Sequence, residues 1–549
     1  MRLKKILWAC IGASLLAPAA AMAQHKVNPR DYRELDEKQL GHLRFIANIA
    51  AQQPNDWSRM DSSEAGQGGF DAYRYQLAMM SYAVNLANYH YTPAYRELHQ
   101  QTTERLIGKM LRFDVWSFWE QVSRGAKMFD PDLVKLSEGG RDPVIKQNIM
   151  YSGHLLQMVT THAMLYGSGK YEQPGAITFV HDPVGRGLGK EEFVYDTGRL
   201  ANVLRDQFAD GGYAGIECEP NAIFAECNQH PILGFKLFDL RNGTNYYQEV
   251  SGQYKKAFDE QKFLDRSNGS FMAFKLVKQN KVLPAQMPWN DGWAGIFMHG
   301  WARQDVEDIY PILRKKYVVT QADGTAVIPF KKPNVLFSWD NGFFAALAAE
   351  VGDTGTARAM LAYADRNWRP TWVDGGLHYP RNDEFLAPSR AAAGAPAEVA
   401  PERFVSPRVN TLTGNALLAL ARINVKDGFY NMFNTPWTAE HFRQPFLTDV
   451  PYPRVYVSRA VYDTQKKALV ATLKPASNGQ VSTRTNFSIG NLARDASFTL
   501  RINEVEAGTL AAGVVTAHRR DVKLSFDGER LRVEAPLRGR VDVVLQQRS

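Results

Sequence analysis

The sequence Gly215-Ile-Glu-Cys-Glu-Pro-Asn-Ala-Ile-Phe-Ala-Glu-Cys-Asn228 is the stretch around which the rest of the chain can be interpreted. It contains Cys218 and Cys227, two of the 3 cysteines in the chain. The third, Cys10, lies in an N-terminal segment that we expect to be removed. Two interpretations of the pair remain open. Oxidising compartments favour a structural disulfide, whereas reactive thiols need access to substrate and a lowered pKa. The C-x8-C spacing itself matches no known redox or zinc motif.

The first residues have the pattern of a secretory signal peptide. Residues 1–5 carry positive charge on Arg2, Lys4 and Lys5, and residues 6–20 form an apolar run. Ala21-Met22-Ala23 matches a cleavage site. The apolar run is shorter than the about 20 residues that span a bilayer, and no other apolar stretch is long enough. We therefore expect cleavage after Ala23, a periplasmic location, and no integral membrane segment in the mature protein.

Charge and composition narrow the choice of partner. Removal of residues 1–23 takes away Arg2, Lys4 and Lys5, so the formal net charge falls from +8 to +5 (8 − 3). This charge is mild for the length of the chain, and the sequence contains no basic block typical of nucleic-acid binding. We therefore expect no nucleic-acid partner. Aromatic residues make up 11% of the chain and include 11 Trp, which indicates a pocket or groove lined with rings.

Apolar residues recur at helical spacing over most of the chain to about residue 440. Asp142 is the predicted N-cap of one of these helices, with Pro143 in its first position. Gly- and aromatic-rich loops separate the helices, as in an α/α-toroid, whose functional loops gather at one end. An irregular helical array would show a similar pattern. The predicted helices cover 31–53, 73–91, 93–111, 142–166, 191–208, 229–240, 245–259, 293–301, 306–315, 341–349, 354–365 and 411–423.

The pattern changes near residue 450. From there to the C-terminus, apolar and polar residues largely alternate with a period of two, and turns such as Asn478-Gly479 separate the segments. This predicts a small antiparallel, sandwich-like β-domain over residues 450–549. An Ala/Pro-rich stretch at 386–402 is predicted to be a surface loop or a lid. We therefore expect a signal peptide (1–23), a helical domain (24–440) and the β-domain.

Two strings of sequence carry a family resemblance. One is Asp142-Pro…Lys146-x-Asn148-Ile-Met-Tyr-x-Gly-His154, and the other is the cysteine-containing stretch 215–228. Together they resemble linalool dehydratase/isomerase, a periplasmic bacterial enzyme family that interconverts geraniol, linalool and myrcene. The resemblance extends from about Trp116 to Trp301. It implies a mainly α protein built on an (α/α)6 barrel, and the β-domain lies beyond it.

The resemblance also implies the chemistry. It implies acid–base catalysis by two cysteines and a histidine facing an apolar pocket, with no cofactor and no metal, on a small apolar alcohol. Glu219, next to the first cysteine and assigned to the substrate-binding residues, is either a carboxylate acid or a loop-capping group. By match to the family the catalytic residues are Cys218, Cys227 and His154, the pocket-lining residues are Met150 and Phe224, and the looser pocket matches are Tyr75 and Trp293.

In one segment the chain departs from the family. The family pocket is completed by an aspartate and a tyrosine from a neighbouring subunit of a ring-shaped oligomer. Here Asp56 and Trp57 lie in the corresponding region, and no aspartate–tyrosine pair aligns. A homo-oligomer is a possible arrangement, and the substrate is open.

The implied residues suit the reaction. Dehydration of an allylic alcohol needs a proton on the leaving hydroxyl and a base for a proton on a neighbouring carbon. A thiol, with a pKa of about 8.5, can donate at neutral pH, and a neighbour that lowers its pKa makes it a base. Histidine, with a pKa of about 6.5, can take either part. Aromatic faces stabilise positive charge that develops on carbon.

Two other functions remain open. A toroid with Trp-rich loops and a trailing β-domain is also typical of carbohydrate-active enzymes, in which Asp291, Asp340 or Asp374 would be acid and base. Asp291 and Asp340 are more simply interpreted as turn-forming residues. The chain could instead be a non-catalytic exported protein with a Cys218–Cys227 disulfide. From its pattern alone, His154 would be a core histidine, and only the family resemblance favours a catalytic role.

Overall fold

A computed structural model describes residues 27–60, 72–329, 338–379, 412–476 and 484–548, except 184, 186, 188 and 369. The predicted signal peptide, Cys10 and the Ala/Pro-rich stretch lie outside the described residues. The predicted helical body followed by antiparallel sheets is confirmed. The helices are α1 Glu37–Ala51, α2 Tyr73–Tyr91, α3 Glu97–Met110, α4 Phe113–Trp116, α5 Trp119–Val122, α6 Ile149–Tyr166, α7 Thr197–Asp210, α8 Gln229–Asn242, α9 Tyr246–Glu260, α10 Pro288–Met298, α11 Arg303–Tyr317, α12 Ser338–Glu350, α13 Thr354–Asn367, α14 Leu418–Ile423 and α15 Gly428–Asn434.

Six helices contact one another in a closed cycle. The order is α2, α6, α8, α10, α12 and α14, and α14 contacts α2 again. A π-helical turn, Thr413–Leu417, leads into α14 and also contacts α2 and α12. Helices α3, α7, α9, α11 and α13 pack outside this cycle, each on the inner helix that precedes it in the chain. Helix α1 lies among α2, α3 and α14.

Apolar patterning explains which helices are inside. Helix α6 is buried on all sides, with Met164 its only partly exposed residue. Helix α7 buries only Thr197, Leu200, Ala201, Leu204 and Phe208. This spacing of three and four residues forms a single stripe, as expected for a helix with one face to solvent. The inner helices therefore supply the core and the outer helices shield it.

Several helix boundaries differ from prediction, and two of these differences change the local structure. Helix α6 begins at Ile149, after Asn148 in the left-handed region at φ 60. The carboxylate of Asp142 instead accepts hydrogen bonds from Val144 N at 2.9 Å and from the Tyr195 hydroxyl at 2.6 Å. Asp142 therefore caps a turn before the helix.

The predicted helix 191–208 is a strand followed by a helix. Residues Glu191–Tyr195 pair antiparallel with Ile177–His181. Helix α7 then starts after Asp196, whose side chain accepts a hydrogen bond from Arg199 N. The apolar spacing over residues 191–208 fits one continuous helix. Asp196, the N-cap of α7, lies inside this pattern, so its capping role could not be recognised from the spacing.

The strands fall in two regions. The helical body contains β1 Ile177–His181, β2 Glu191–Tyr195, β3 Ala222–Ile223, β4 Leu264–Asp265, β5 Ser270–Leu276, β6 Lys281–Pro284, β7 Val319–Thr320, β8 Ala326–Val327, β9 Thr371–Val373 and β10 Gly376–His378, in four small antiparallel sheets. The C-terminal region contains β11 Phe446–Thr448, β12 Val455–Asp463, β13 Ala468–Pro475, β14 Arg484–Gly490, β15 Phe498–Ile502, β16 Val505–Ala511, β17 Val514–Ala517, β18 Lys523–Phe526, β19 Leu531–Pro536 and β20 Val541–Gln547.

The C-terminal strands form two antiparallel sheets with a common apolar core. Their strand orders are β12-β13-β20-β15-β16-β17 and β11-β14-β19-β18. In β19, Leu531, Val533 and Ala535 are buried and Arg532 is exposed, which is the predicted alternation of a strand with one face on a core. The change from helix to sheet falls between Asn434 and Phe446.

Residues before α1 bind the C-terminal sheets, a contact that the sequence did not reveal. Leu35 N donates to Ser458 O at 2.9 Å, and the buried Arg459 guanidinium donates to the Glu34 carboxylate at 2.9 Å. Tyr32 donates to Asp463 at 2.6 Å. These bonds connect the helical body with strand β12. No helix among the described residues is long and apolar enough to cross a membrane.

Candidate functional site

One cavity in the helical body contains the cysteine stretch in its wall. Its volume is about 710 Å³, within the range of small-molecule sites. Residues from α2, α5, α6, α10, β5 and three loops form the wall. They are Tyr75, Gln121, Val122, Gly125, Ala126, Met128, Phe129, Met150, Cys218, Glu219, Phe224, Glu226, Cys227, Ala273, Phe274, Met287, Trp289 and Trp293.

Asn228, at the end of the cysteine stretch, holds its loop closed. Its side-chain oxygen accepts a hydrogen bond from Ile216 N at 2.7 Å, and its amide donates to Ile216 O and Phe224 O at 3.0 and 2.9 Å. Gly215 lies at φ +115, and a Cβ there would meet Ile223 at 2.8 Å. The first and last residues of the string are therefore structural, and the loop between them presents both thiols to the cavity.

Cys218 and Cys227 are free thiols and are buried, 1% and 4% exposed. The two thiols interact with each other, and this interaction raises the pKa of Cys218 and lowers that of Cys227. Burial raises the pKa of Cys218 well above its ordinary value. Burial also raises the pKa of Cys227 to about 11, against the lowering effect of the Cys218 hydrogen bond. Both thiols are therefore protonated at neutral pH and can act as donors, and neither has the lowered pKa that a thiol base would need.

Two carboxyl groups flank the thiols in the cavity wall. Oε2 of Glu219 and Oε2 of Glu226 are buried, and neither has a hydrogen-bond partner among the described residues. Burial raises the pKa of Glu219 to about 7, against the opposing charge of Arg74. Burial raises the pKa of Glu226 to about 8, and the charge of Glu219 adds to this rise. Both carboxyls therefore titrate near neutral pH.

Sequence reasoning placed Glu219 at the site and missed Glu226. The signal for Glu226 was present, since it immediately precedes Cys227. The burial that changes its chemistry comes from the folded loop and the helices around it.

The remaining predicted pocket residues are Met150, Tyr75, Phe224 and Trp293, and all of them line the cavity. Tyr75 and Trp293 meet edge to face with ring centroids 5.2 Å apart. The Tyr75 hydroxyl lies 3.4 Å from Sδ of Met150. Sequence reasoning missed the apolar walls from Phe129, Phe274, Met287 and Trp289, because these residues come from segments without a recognisable motif.

His154 lies one layer behind the cavity wall. It is fully buried and is not among the residues that line the cavity. Its Nδ1 is 2.9 Å from the Tyr82 hydroxyl, and its ring contacts Tyr75 and Trp293 at centroid distances of 5.9 and 5.8 Å. Burial lowers the pKa of His154 to about 3, so the imidazole is neutral at physiological pH. A catalytic role for His154 stays a prediction.

A second buried histidine, His230, adjoins it and was not predicted. The two imidazole centroids are 3.7 Å apart. Trp293 Nε1 donates to His230 Nε2 at 2.9 Å, so His230 Nδ1 donates to the Gln157 side-chain oxygen at 2.7 Å. These two bonds fix one neutral tautomer of His230. They also hold the indole of Trp293 in place in the cavity wall.

Asp291, Asp340 and Asp374 do not line the cavity. The buried Asp291 accepts hydrogen bonds from Phe271 N and the Tyr317 hydroxyl, at 2.8 and 2.7 Å, and burial raises its pKa to about 6. Asp340 accepts from Trp289 N at 2.9 Å. Asp374 lies in the turn between β9 and β10 and forms an ion pair with Arg59 at 2.7 Å.

The prediction of turns at Asp291 and Asp340 is wrong, because both lie in first turns of helices. The wrong prediction came from Gly292 and Gly342, which lie beside these aspartates in the sequence and are residues typical of turns. A Cβ on Gly292 would meet the backbone of Phe343 at 3.0 Å, and one on Gly342 would meet Leu417 at 2.7 Å. These glycines permit close contact between inner helices, which a single sequence cannot distinguish from a turn.

Arg74 is a buried cation beside the cavity. Its guanidinium lies over the rings of Tyr75 and Phe118, at 4.4 and 3.9 Å from their centroids. Its charge lowers the pKa of Glu219 and of Cys227. Asp56 and Trp57 do not line the cavity, and Trp57 stacks on Tyr73.

Several solved structures are similar to this chain at low identity. One is a GH76 α-mannanase from Bacteroides thetaiotaomicron, with 11% identity, a TM-score of 0.40, and coverage of 73% of this chain and 100% of that one. Another is an α-amylase from Clostridium perfringens, with 12% identity, a TM-score of 0.38, and coverage of 70% and 97%. With TM-scores below 0.5, these similarities decide neither the fold nor the substrate.

The family comparison is decisive. The sequence model of the linalool dehydratase/isomerase family matches residues 74–385, which is more than half of the 549 residues. The match includes the cysteine stretch and the helices that place Tyr75, Met150 and Trp293 in the cavity wall. The chain belongs to the linalool dehydratase/isomerase family.

Proposed function

We propose that this protein is a cofactor-independent lyase or isomerase that dehydrates or isomerises an apolar alkenol of the monoterpene-alcohol type. The observation that carries the proposal is one cavity, in a chain of this family, that combines two protonated thiols with apolar walls. The closed cycle of six inner helices supports the further proposal that the helical body is an (α/α)6 barrel. We also propose that the protein acts in the periplasm after cleavage at Ala23.

The cavity wall suits a hydrocarbon chain. Phe129, Phe224, Phe274, Met150 and Trp289 offer apolar surface, and each methylene that leaves water contributes about 0.8 kcal/mol. A site for a sugar would instead need polar groups for many hydroxyls. The rings also provide faces that stabilise positive charge on an allylic carbon.

Protonation states define what each group can do. Neutral thiols can donate hydrogen bonds to a substrate hydroxyl. Both cysteines line the cavity, so an S–H of this pair can point to a substrate there. The neutral His154 orients the wall from behind through Tyr82 and the ring contacts.

The two alternatives have less support. The hypothesis of a carbohydrate-active enzyme required Asp291, Asp340 or Asp374 as acid and base, and these three residues do not line the cavity. The hypothesis of a non-catalytic protein required a disulfide between Cys218 and Cys227, and both residues are free thiols.

The proposal is tested with purified mature protein under anaerobic conditions with dithiothreitol. Allylic and tertiary alkenols are compared with saturated alcohols of the same carbon skeleton and with α-mannosides, and products are followed by headspace gas chromatography and sugar analysis. We expect alkene or rearranged alcohol from the alkenols alone. Hydrolysis of mannosides without turnover of any alkenol would refute the proposal.

Oxidation is expected to switch the activity off. A disulfide between Cys218 and Cys227 would remove both S–H donors at once, because the two thiols are already in hydrogen-bond contact. Treatment with diamide should reduce turnover of an alkenol to background, and dithiothreitol should restore it. The measurement pairs initial rates with free-thiol titration of the same samples. Full activity in a sample with no free thiol would contradict the expectation.

A further inference from the structure

Glu226 is a carboxyl group in a place that disfavours its charge. The residue is 3% exposed, lines the cavity, and has one oxygen, Oε2, that bonds to no other described residue. Burial of an ionised carboxylate without partners is strongly unfavourable, so such a group keeps its proton. The other contact of this carboxyl is with its own backbone. Glu226 therefore offers a proton inside an apolar cavity.

Glu219 and Glu226 differ in the sign of the neighbouring charges that shift their pKa values. Arg74 lowers the pKa of Glu219 and favours its carboxylate form, whereas the acidic groups Glu219 and Asp291 raise the pKa of Glu226. The other titratable groups that face the pair are Cys218, Cys227, Tyr75 and Tyr254, each of which burial keeps neutral. The environments therefore separate the two carboxyls into an acid and a base.

We propose that Glu226 is the general acid that protonates the leaving hydroxyl and that Glu219 is the base that accepts the proton from carbon. This inference rests on the proposed function. It extends that function to Glu226, for which no role was predicted, and to Glu219, whose role was left open. The thiol pair in the cavity wall then positions the hydroxyl, with an S–H donated to the substrate oxygen.

The reaction balances with these groups alone. The C–O bond breaks, its electron pair stays on oxygen, and the proton of Glu226 completes a water molecule. A neighbouring C–H bond breaks, its electron pair forms the C=C bond, and the Glu219 carboxylate takes the proton. Transfer of that proton from Glu219 back to Glu226 restores the starting state. Isomerisation follows if the water oxygen instead bonds to the other end of the allylic cation and gives one of its protons back to the Glu226 carboxylate.

The two carboxyls suit acid–base catalysis better than the two thiols because the pKa values of the carboxyls lie closer to neutral pH. A catalytic acid or base works best when its pKa lies near the working pH. The pKa of Glu219 is raised to about 7 and that of Glu226 to about 8, whereas the pKa of Cys227 is raised to about 11. Turnover should therefore fall below pH about 7, as Glu219 gains a proton, and above pH about 8, as Glu226 loses one.

The test compares Glu226→Gln with wild type and with Glu260→Gln, which removes an exposed carboxyl on α9. We expect Glu226→Gln to lower kcat for an alkenol by about 100-fold or more, to leave KM within about threefold, and to lose the fall in rate above pH 8. Glu226→Asp should recover part of kcat. A Glu226→Gln enzyme that keeps more than about a tenth of kcat, or the same basic limb, would overturn the inference.

A second readout separates this inference from the proposed function. Infrared difference spectra between pH 6 and 9 report the C=O band of a protonated carboxyl without any turnover. In wild type and in Glu260→Gln we expect two components, one from Glu219 with a pKa of about 7 and one from Glu226 with a pKa of about 8; Glu226→Gln should keep the first and lose the second, the Glu226 band. Turnover by a wild type without this band refutes the acid role alone. A wild type that shows the band and converts no alkenol refutes both the proposed function and the acid role.

Discussion

Replacement of Cys227 by Ala is expected to lower kcat for an alkenol by about 100- to 1,000-fold. Cys227 lies in the cavity wall and keeps its proton at neutral pH, so its S–H is a donor available to a substrate hydroxyl there. Alanine removes this donor and leaves the apolar walls in place. Binding of the hydrocarbon should therefore persist, and the loss should appear mainly in kcat. Steady-state rates by headspace gas chromatography, under reductant, measure it.

The matched control is Cys227→Ser, which keeps a donor of similar size at the same position. We expect it to retain more activity than Cys227→Ala and to be insensitive to diamide, because serine cannot form the disulfide. Circular dichroism and thermal unfolding check that both variants fold. Activity of Cys227→Ala within about threefold of wild type would contradict a role of this thiol in turnover.

Replacement of Glu350 by Ala is expected to reduce the free energy of unfolding by about 3–5 kcal/mol. Glu350, at the end of α12, is fully buried and accepts four hydrogen bonds. The donors are His299 Nδ1 at 2.9 Å, Asn424 Nδ2 at 2.8 Å, Phe429 N at 2.9 Å and Tyr430 N at 3.1 Å. These bonds connect helices α10, α12, α14 and α15, so their loss leaves buried donors without an acceptor on one side of the helix cycle.

Guanidinium titration followed by circular dichroism measures this loss. Glu350→Gln, which keeps the volume and one acceptor, should lose less stability than Glu350→Ala. Glu260→Gln, on the surface of α9, should change stability by less than about 0.5 kcal/mol. A loss below about 1 kcal/mol in Glu350→Ala would show that this carboxylate does not hold the helices together.

The cysteine stretch made much of the site predictable. Its match to the family led from Cys218 and Cys227 to Met150, Phe224 and the more loosely matched Trp293, and the structure gathers all five in one cavity wall. The helical periodicity also located elements that have a clear apolar stripe or an unbroken apolar run. Helix α2, for example, has the predicted bounds.

The remaining features depend on tertiary structure. The lone aspartate before α7 separates strand from helix, and the pattern of apolar residues does not show this. The protonation of Glu226 follows from the helices that exclude water around it, whereas its neighbours in sequence give no sign of this burial. The position of His154 behind Tyr75 depends on how α6 turns against α2 and α10, and spacing along one helix does not determine this.

Formation of myrcene from linalool by the purified mature protein is the most direct test of the proposed activity. It is measured by headspace gas chromatography at pH 7 to 8, anaerobically and with dithiothreitol, with Cys227→Ala and Glu226→Gln in parallel. We expect myrcene, or geraniol formed by isomerisation, from wild type and at least about 100-fold less of either product from each variant. Equal product from wild type and both variants, or no conversion of linalool or any other alkenol by wild type, would contradict this expectation.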